Sequence, residues 1–241
     1  MPNVLSIAGL DPTTGAGIGA DQRAIEHFGN RAFTVCTAIT AQSDFRCYNV
    51  DFLPQQLLLT QLEPLLNEYE LGAIKIGIIG SLVDLNAVLS FVLKFQNPMV
   101  IWDPVLKSSS GLSFLQALDP QELQDVLQKI DLCTPNREES SLLLSKLQKE
   151  TWKDITISAS ILETGGDKPE SNADVLYKDG SSVEFPFERI PNKSIHGTGC
   201  RYSSAIASLM AGNSTLEQAI VKAQEYVRAE ILKYHKLESH A

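Results

Sequence analysis

His196-Gly197-Thr198-Gly199-Cys200 is the stretch of this chain whose residue types and spacing best suit chemistry. Two glycines let a backbone turn tightly and approach a ligand closely. An Ala/Ser-rich helical pattern follows, so the segment should open a helix. Free N–H groups and the positive dipole end at such a start favour a phosphate. Cys200 falls in the first turn, where that field is expected to lower a thiol pKa below its reference of about 8.5. Gly197, Thr198, Gly199 and Cys200 are therefore candidates for an anion site with a reactive thiol. The plainer alternative is a Gly-rich helix start with a buried cysteine.

Other segments offer complementary groups. Residues 8–21 read AGLDPTTGAGIGAD, a strand-to-helix loop that resembles a phosphate loop but lacks the GxxxxGK[ST] pattern. Asp21, one turn into the next helix, either caps that helix or binds a substrate donor. Asn136 and Glu139, in TPNREE, share one helix face at i, i+3. They either reach Mg²⁺ through a bound water or form a capping box. Gln42 carries an amide that both donates and accepts, as an aminopyrimidine edge requires, unless it is a surface glutamine. Asp103, before Pro104 and Val105, either holds Mg²⁺ or fixes a loop.

Positioning these groups takes alternating strands and helices. Strand patterns fall at 4–8, 33–39, 73–79, 99–103, 132–134 and 155–162, with a hairpin at 175–177 and 183–187 around Asp179-Gly180. Helical patterns fall at 18–28, 54–66, 82–95, 120–129, 137–147, 198–211 and 215–234. Such alternation predicts an α/β fold, a mainly parallel sheet with helices on both faces and ligands at the carboxyl ends of its strands. No linker, repeat or low-complexity tract divides the 241 residues, so one domain over 1–241 is expected. The net charge of -9 argues against non-specific nucleic-acid binding. The four cysteines form no CxxC pair, no run of 18 apolar residues appears and the N-terminus lacks a signal-peptide pattern. A cytoplasmic protein with reduced thiols and no membrane span is expected, and a homodimer is left open.

Together, AGLDPTTGAGIGAD, TAQ, KIGII, DPV, TPNREE and HGTGC resemble, in that order, the hydroxymethylpyrimidine (phosphate) kinases of the ribokinase-like superfamily, over residues 4 to about 232. HGTGC is the most specific piece, because most sugar kinases of the superfamily have Asp where Cys200 stands. The resemblance implies a three-layer sandwich without the large lid of sugar kinases. It implies ATP-dependent phosphorylation of 4-amino-5-hydroxymethyl-2-methylpyrimidine and then of its monophosphate, with Mg²⁺, in thiamine synthesis. By position Gly9, Asp21 and Gln42 match pyrimidine-binding residues, with Val105 in the same pocket. Gly197–Cys200 match the anion hole and the proposed catalytic residue, and Asn136 and Glu139 the Mg·ATP motif. The nucleotide side also takes in Thr164, Gly166 and Arg201, and the metal is reached by Glu139 through water, with Asp103 as a further ligand.

Three departures from that pattern bear on ATP use. Thr13-Thr14 stand where the family has Ser-Gly. Ser109 stands where a Lys is usual, with Lys107 two residues earlier. Thr164 replaces the Lys that reaches ATP phosphates before a Gly-Gly pair, and Asp167 replaces the usual His. Arg201, in place of a small hydroxyl residue, is the first candidate for a substitute cation. Two other readings stay open: a pyridoxal or pyridoxine kinase, and a catalytically weak vitamin-binding paralogue.

Overall fold

The computed structural model describes residues 1–43, 45–107, 111, 113–115, 118–165, 172–190 and 195–238. Ser109, Gly166, Asp167 and the stretch 191–194 lie outside them. In chain order the elements are β1 (Asn3–Leu10), α1 (Gly17–His27), β2 (Arg31–Gln42), β3 (Cys47–Phe52), α2 (Gln55–Glu68), β4 (Ala73–Ile76), α3 (Leu82–Phe95), β5 (Met99–Trp102), α4 (Pro120–Leu127), β6 (Leu132–Cys133), α5 (Arg137–Lys146), β7 (Ser160–Glu163), β8 (Ala173–Lys178), β9 (Ser181–Pro186), α6 (Thr198–Ala211) and α7 (Leu216–Glu238).

Among the described residues nine strands join one sheet in the order β3-β2-β1-β4-β5-β6-β7-β8-β9. The six from β2 to β7 run parallel. β3 is antiparallel to β2 at one edge, and β8 and β9 extend the other edge as an antiparallel hairpin. The chain leaves β1 for β2 on one side and later returns to β4 on the other. A crevice therefore opens beyond the carboxyl end of β1, where such sheets bind ligands.

Alternation along the strands splits the apolar residues between two faces. Leu5, Ile7, Ile74, Ile76, Val100 and Trp102 pack against residues of α2, α3, α4 and α5. Val4, Ala73 and Ile101 face Ala24 and Ile25 of α1, Ala205 and Ile206 of α6, and Ala219 and Ile220 of α7. Local chemistry sets the helix starts. Ser81 accepts from the Asp84 N–H ahead of α3, and Asp119 accepts from Gln121 and Glu122 N–H with Pro120 opening α4.

Three expected elements differ. Residues 155–159 are not strand: a 3₁₀ turn at Trp152–Asp154 leads into a bend, and β7 starts only at Ser160. The apolar residues there, Ile155 and Ile157, are half-buried against the core rather than paired. The strand expected at 73–79 ends at Ile76: the Gly77 N–H makes a last bond to the Ile7 carbonyl of β1, and the chain then leaves the sheet. β3 was not expected. It is an edge strand in which Tyr48, Val50 and Phe52 alternate with exposed Asn49 and Asp51, a short period-2 signal, and Cys47, Val50 and Phe52 pack in a small apolar cluster. Among the described residues no helix is long and apolar enough to cross a membrane.

Candidate active site

The loop after β1 and the start of α6 meet backbone to backbone beyond the sheet edge. Gly197 sits at φ 78°, and a Cβ there would lie 2.3 Å from the Gly15 carbonyl oxygen and 2.8 Å from Ala16 Cα. Gly17, at φ 53°, would place a Cβ 2.2 Å from the Gly9 oxygen. Only glycine fits at either position. The register slips between Ala8 and Gly9 against β2, a bulge that re-aims the end of β1 toward this junction. Neither α1 nor α6 has a side-chain cap, and Gly199 is exposed with nothing within 4 Å of its Cβ position. The first turn of α6 thus presents uncapped N–H groups to open space.

Two arginines hold this junction from behind. Arg201, only 7% exposed, donates from Nη1 to the carbonyls of Gly15 and His196, each at 2.6 Å. Arg23 donates to Thr14 Oγ1 and to the Thr14 carbonyl, pinning a β-branched residue at φ 59°. This corrects the expectation that Arg201 replaces a missing phosphate-binding lysine. Its guanidinium is turned into the protein and ties the loop to α6.

Asp11, which the sequence reading left without a role, fills the inside of the loop. Its carboxylate accepts from Thr13 N–H and Ala16 N–H, both at 2.8 Å, and from Thr13 Oγ1 at 2.9 Å. His196 Nε2 lies 3.2 Å away, and Gln42, at the end of β2, lies beside both. Burial works against the Asp11 charge, but hydrogen bonds from Gln42, Ala16 and Thr13 outweigh it and hold the carboxyl below the usual range. The loop's own donors are therefore taken by an internal carboxylate, which separates it from a phosphate loop. Asp before Pro in GLDP is the turn signal that could have singled it out.

Beneath the junction lies a buried ionic network. Lys75 of β4, fully buried, sits 3.0 Å from each Asp21 oxygen and 3.5 Å from Asp103 Oδ2. Ser6 donates to Asp21 at 2.6 Å, and Ser203 of α6 donates to Asp103 at 3.0 Å. Burial opposes the Lys75 charge, yet its carboxylate neighbours, Asp21 foremost, raise its pKa above the usual lysine value. Burial raises the Asp103 carboxyl despite Lys75 and Ser203. Two expectations are corrected here. Asp21 is 0% exposed with both oxygens engaged, so it neither caps α1 nor faces a substrate. Asp103 is compensated from within, which leaves it no role as a metal ligand. A lysine inside the apolar run AIKIGII was the signal for this network.

Cys200 overturns a further expectation. Its thiol is half-buried over this network, and burial pushes it up to about 12, against the pull of Lys75 and a hydrogen bond from the Gly17 N–H. Desolvation outweighs the helix dipole, so the group is a neutral thiol near pH 7.

The other side of the crevice is formed at α5 and β7. Asn136 and Glu139 make a capping box: the Glu139 N–H donates to Asn136 Oδ1 at 3.0 Å, and the Asn136 N–H to Glu139 Oε2 at 2.9 Å. Glu139 Oε1 also accepts from Leu106 N–H at 3.3 Å. Both carboxylate oxygens of Glu139 are engaged by backbone N–H groups, so the pair suits a hydrated Mg²⁺ reached through water and not direct ligation. Thr164 bridges to Asn136, its N–H donating to the Pro135 carbonyl at 2.9 Å. Gly165 is held by Asp174 at 2.9 Å and by Arg189 at 3.2 Å. Val105 packs with Cys47, Ile78 and Phe114, and Gly9 abuts Ile78. The structure thus groups Gly9, Gln42, Val105 and Gly197–Cys200 about the β1 end, and Asn136, Glu139 and Thr164 farther along the same sheet edge.

Comparison with known proteins bears on this arrangement. A family model described as phosphomethylpyrimidine kinase matches residues 11–241. A probable thiamine biosynthetic bifunctional enzyme of Oryza sativa is 30% identical over 95% of this chain, which spans 44% of that protein's length. The chain therefore covers less than half of that longer relative. A hydroxymethylpyrimidine/phosphomethylpyrimidine kinase of Aquifex aeolicus is 31% identical over 97% of this chain and 95% of its own. The crystal structure of a phosphomethylpyrimidine kinase from Clostridium difficile superposes with a TM-score of 0.76 at 24% identity, over 96% of this chain and all of that one. The fold is ribokinase-like.

Proposed function

The chain belongs to the phosphomethylpyrimidine kinase family, and we propose that it transfers the γ-phosphoryl group of ATP to 4-amino-5-hydroxymethyl-2-methylpyrimidine and then to the resulting monophosphate, in thiamine synthesis. The observation that carries this reading is the uncapped, open start of α6, clamped against the loop after β1. Phosphoryl transfer passes through a loose transition state and needs positioning and charge stabilisation more than bond-making by the protein.

On this reading the N–H groups of the α6 first turn receive the transferring phosphoryl oxygens. The hydroxymethyl oxygen attacks phosphorus as the bond to the ADP oxygen breaks, and the hydroxyl proton leaves to water. Lys75, neutralised by Asp21 and Asp103, ties β4 to the floor of the site without contacting the ligand. Cys200 lines the site as a neutral thiol rather than as the base. Gly9, Gln42 and Val105 form the pyrimidine wall, and Asn136, Glu139 and Thr164 lie on the nucleotide side. Mg²⁺, held through water at Glu139, would neutralise ATP oxygens. The test is product analysis after incubation with ATP, Mg²⁺ and the pyrimidine alcohol. The monophosphate and pyrophosphate are expected, and absence of any phosphorylated pyrimidine refutes the reading.

A further inference from the structure

Three consecutive residues of α6 reach three different parts of the molecule. Arg201 bonds the Gly15 and His196 carbonyls, Ser203 donates to Asp103 just after β5, and Tyr202 donates from its hydroxyl to Asp174 Oδ2 at 2.8 Å. The first and third belong to the floor and the ionic network already described, whereas the Tyr202 bond leads elsewhere. Asp174, in β8 and 3% exposed, accepts on its other oxygen from the Gly165 N–H at 2.9 Å. Gly165 follows Thr164 on the nucleotide side. There the Thr164 N–H donates to the Pro135 carbonyl, and the Gly165 carbonyl accepts from Arg189. One buried carboxylate therefore joins the helix whose start is open to a ligand to the segment on the other side of the crevice. Gln224 of α7 donates to the same Oδ2 at 2.9 Å and to the Phe185 carbonyl at 3.1 Å, a side branch that touches neither half of the site. The sheet alone joins the halves poorly. β4, β5 and β6 stand between β1 and β7, so the halves begin four strand spacings apart, about 19 Å at about 4.8 Å each. Sheet twist accumulates over such a span.

We propose that Asp174 is a positioning residue for phosphoryl transfer: through Tyr202 and Gly165 it fixes the separation between the α6 start and the nucleotide segment, and so the alignment of the acceptor oxygen with the bond that breaks. The proposal rests on the kinase reading above. Transfer requires the attacking and leaving oxygens to stand roughly in line through phosphorus. On that reading the two halves that Asp174 joins carry those two oxygens. Both Asp174 oxygens are taken by protein donors, so it acts through its partners and not on the ligands.

The test follows ADP and phosphorylated pyrimidine together, in the intact chain with ATP, Mg²⁺ and 4-amino-5-hydroxymethyl-2-methylpyrimidine. Tyr202→Phe removes one oxygen and cuts the arm to α6, leaving Asp174 its bonds from Gly165 and Gln224. Gln224→Met removes a hydrogen bond to the same carboxylate oxygen but leaves the span between the halves whole. Tyr202→Phe should lower kcat by at least about tenfold with both KM values within about threefold, because misplacement by 1 Å can cost about 10². ADP formed per phosphorylated pyrimidine should rise at least about twofold, as water takes a larger share of a misaligned phosphoryl group. Gln224→Met should keep kcat and that ratio within about twofold of the parent. A role in stability alone would lower the unfolding midpoints of the two variants alike and separate them in neither kcat nor the ratio. Equal kcat losses in the two variants, an unaffected kcat in Tyr202→Phe, or a loss confined to KM overturns the proposal. Asp174→Asn and Asp174→Ala repeat the test with Tyr202 in place. Asparagine still accepts from Gly165 and can donate to the Tyr202 oxygen, so kcat should stay within about fivefold, whereas alanine cuts the span and should lose at least about tenfold. Equal kcat values for those two variants also overturn the proposal. No phosphorylated pyrimidine from the unmodified protein refutes the kinase reading, and this inference falls with it; an active parent with an unaffected Tyr202→Phe refutes this inference alone.

Discussion

Replacing Lys75 by Met should convert a pH-insensitive core into a pH-sensitive one. Lys75 is the cation between two buried carboxylates, 3.0 Å from Asp21 and 3.5 Å from Asp103, and only Ser6 and Ser203 would remain to solvate them. Methionine fills a similar volume, so the cost comes from charge and not from a cavity. Breaking a buried pair by removing one partner costs about 3–5 kcal/mol. The carboxylates can lower that cost only by taking up protons. If one of them rises by about three units from its unfolded value near 4, it loses about 4 kcal/mol at pH 7. A group whose folded pKa is raised destabilises the native state above its unfolded pKa. The variant should therefore lie closest to the parent near pH 4–5 and fall away by about 1.4 kcal/mol per pH unit up to about pH 7. Urea unfolding at pH 5, 6, 7 and 8 would measure this through the fluorescence of Trp102 and Trp152, both buried. A loss at pH 8 below about 1 kcal/mol, or one equal at pH 5 and pH 8, would refute the ionic account.

The neutral state of Cys200 predicts that Cys200→Ser keeps kcat within a few-fold; a drop of roughly 10²-fold would restore a general-base role. Iodoacetamide should modify Cys200 at pH 8 more slowly than a free thiol, because its pKa of about 12 leaves almost no thiolate there. Arg201→Met should lower kcat by at least about tenfold while leaving the KM for ATP nearly unchanged, since misplacement of the site by 1 Å can cost about 10². A raised KM with unchanged kcat would mean that Arg201 contacts nucleotide after all. Thr164→Lys should lower the KM for ATP by roughly tenfold or more, from a charge-assisted contact of about 1.5–3 kcal/mol. An unchanged KM would detach residue 164 from the phosphates.

The helices and the parallel strands were legible in the sequence because their cause is local. The apolar period of 82–95, the Gly-rich break before α6 and the turn residues Asp179 and Gly180, at φ 50° and 73°, each fix one element on their own. The edge strand β3 stood out less, since its alternation of Tyr48, Val50 and Phe52 is only three residues deep and it pairs on one side alone, with β2. In the site, HGTGC was readable as a Gly-opened helix start because the signal is backbone geometry. Asp21, Asp103 and Arg201 were misread because residue type does not say which way a charged side chain turns. Burial decides that, and burial comes from strands distant in the chain: Lys75 reaches Asp21 across 54 positions, and Arg201 reaches Gly15 across 186. The same cause reversed the Cys200 pKa. The helix dipole is visible in sequence, whereas the desolvation that outweighs it is a property of the packed core.

The contact between Gly197 and Gly15, with no room for a single methyl group, also limits how the site can move. Arg201 bonds both sides of that contact, so the loop after β1 and the first turn of α6 form one rigid floor. A hinge cannot run through it without parting two hydrogen bonds and opening a close-packed backbone seam. On the kinase reading, water must nonetheless be kept from a phosphoryl group in transit. Any closure over the ligand must therefore come from outside this floor. The pyrimidine would meet a surface already shaped before ATP arrives, and order of binding would be set by what descends over the nucleotide rather than by adjustment around the ring.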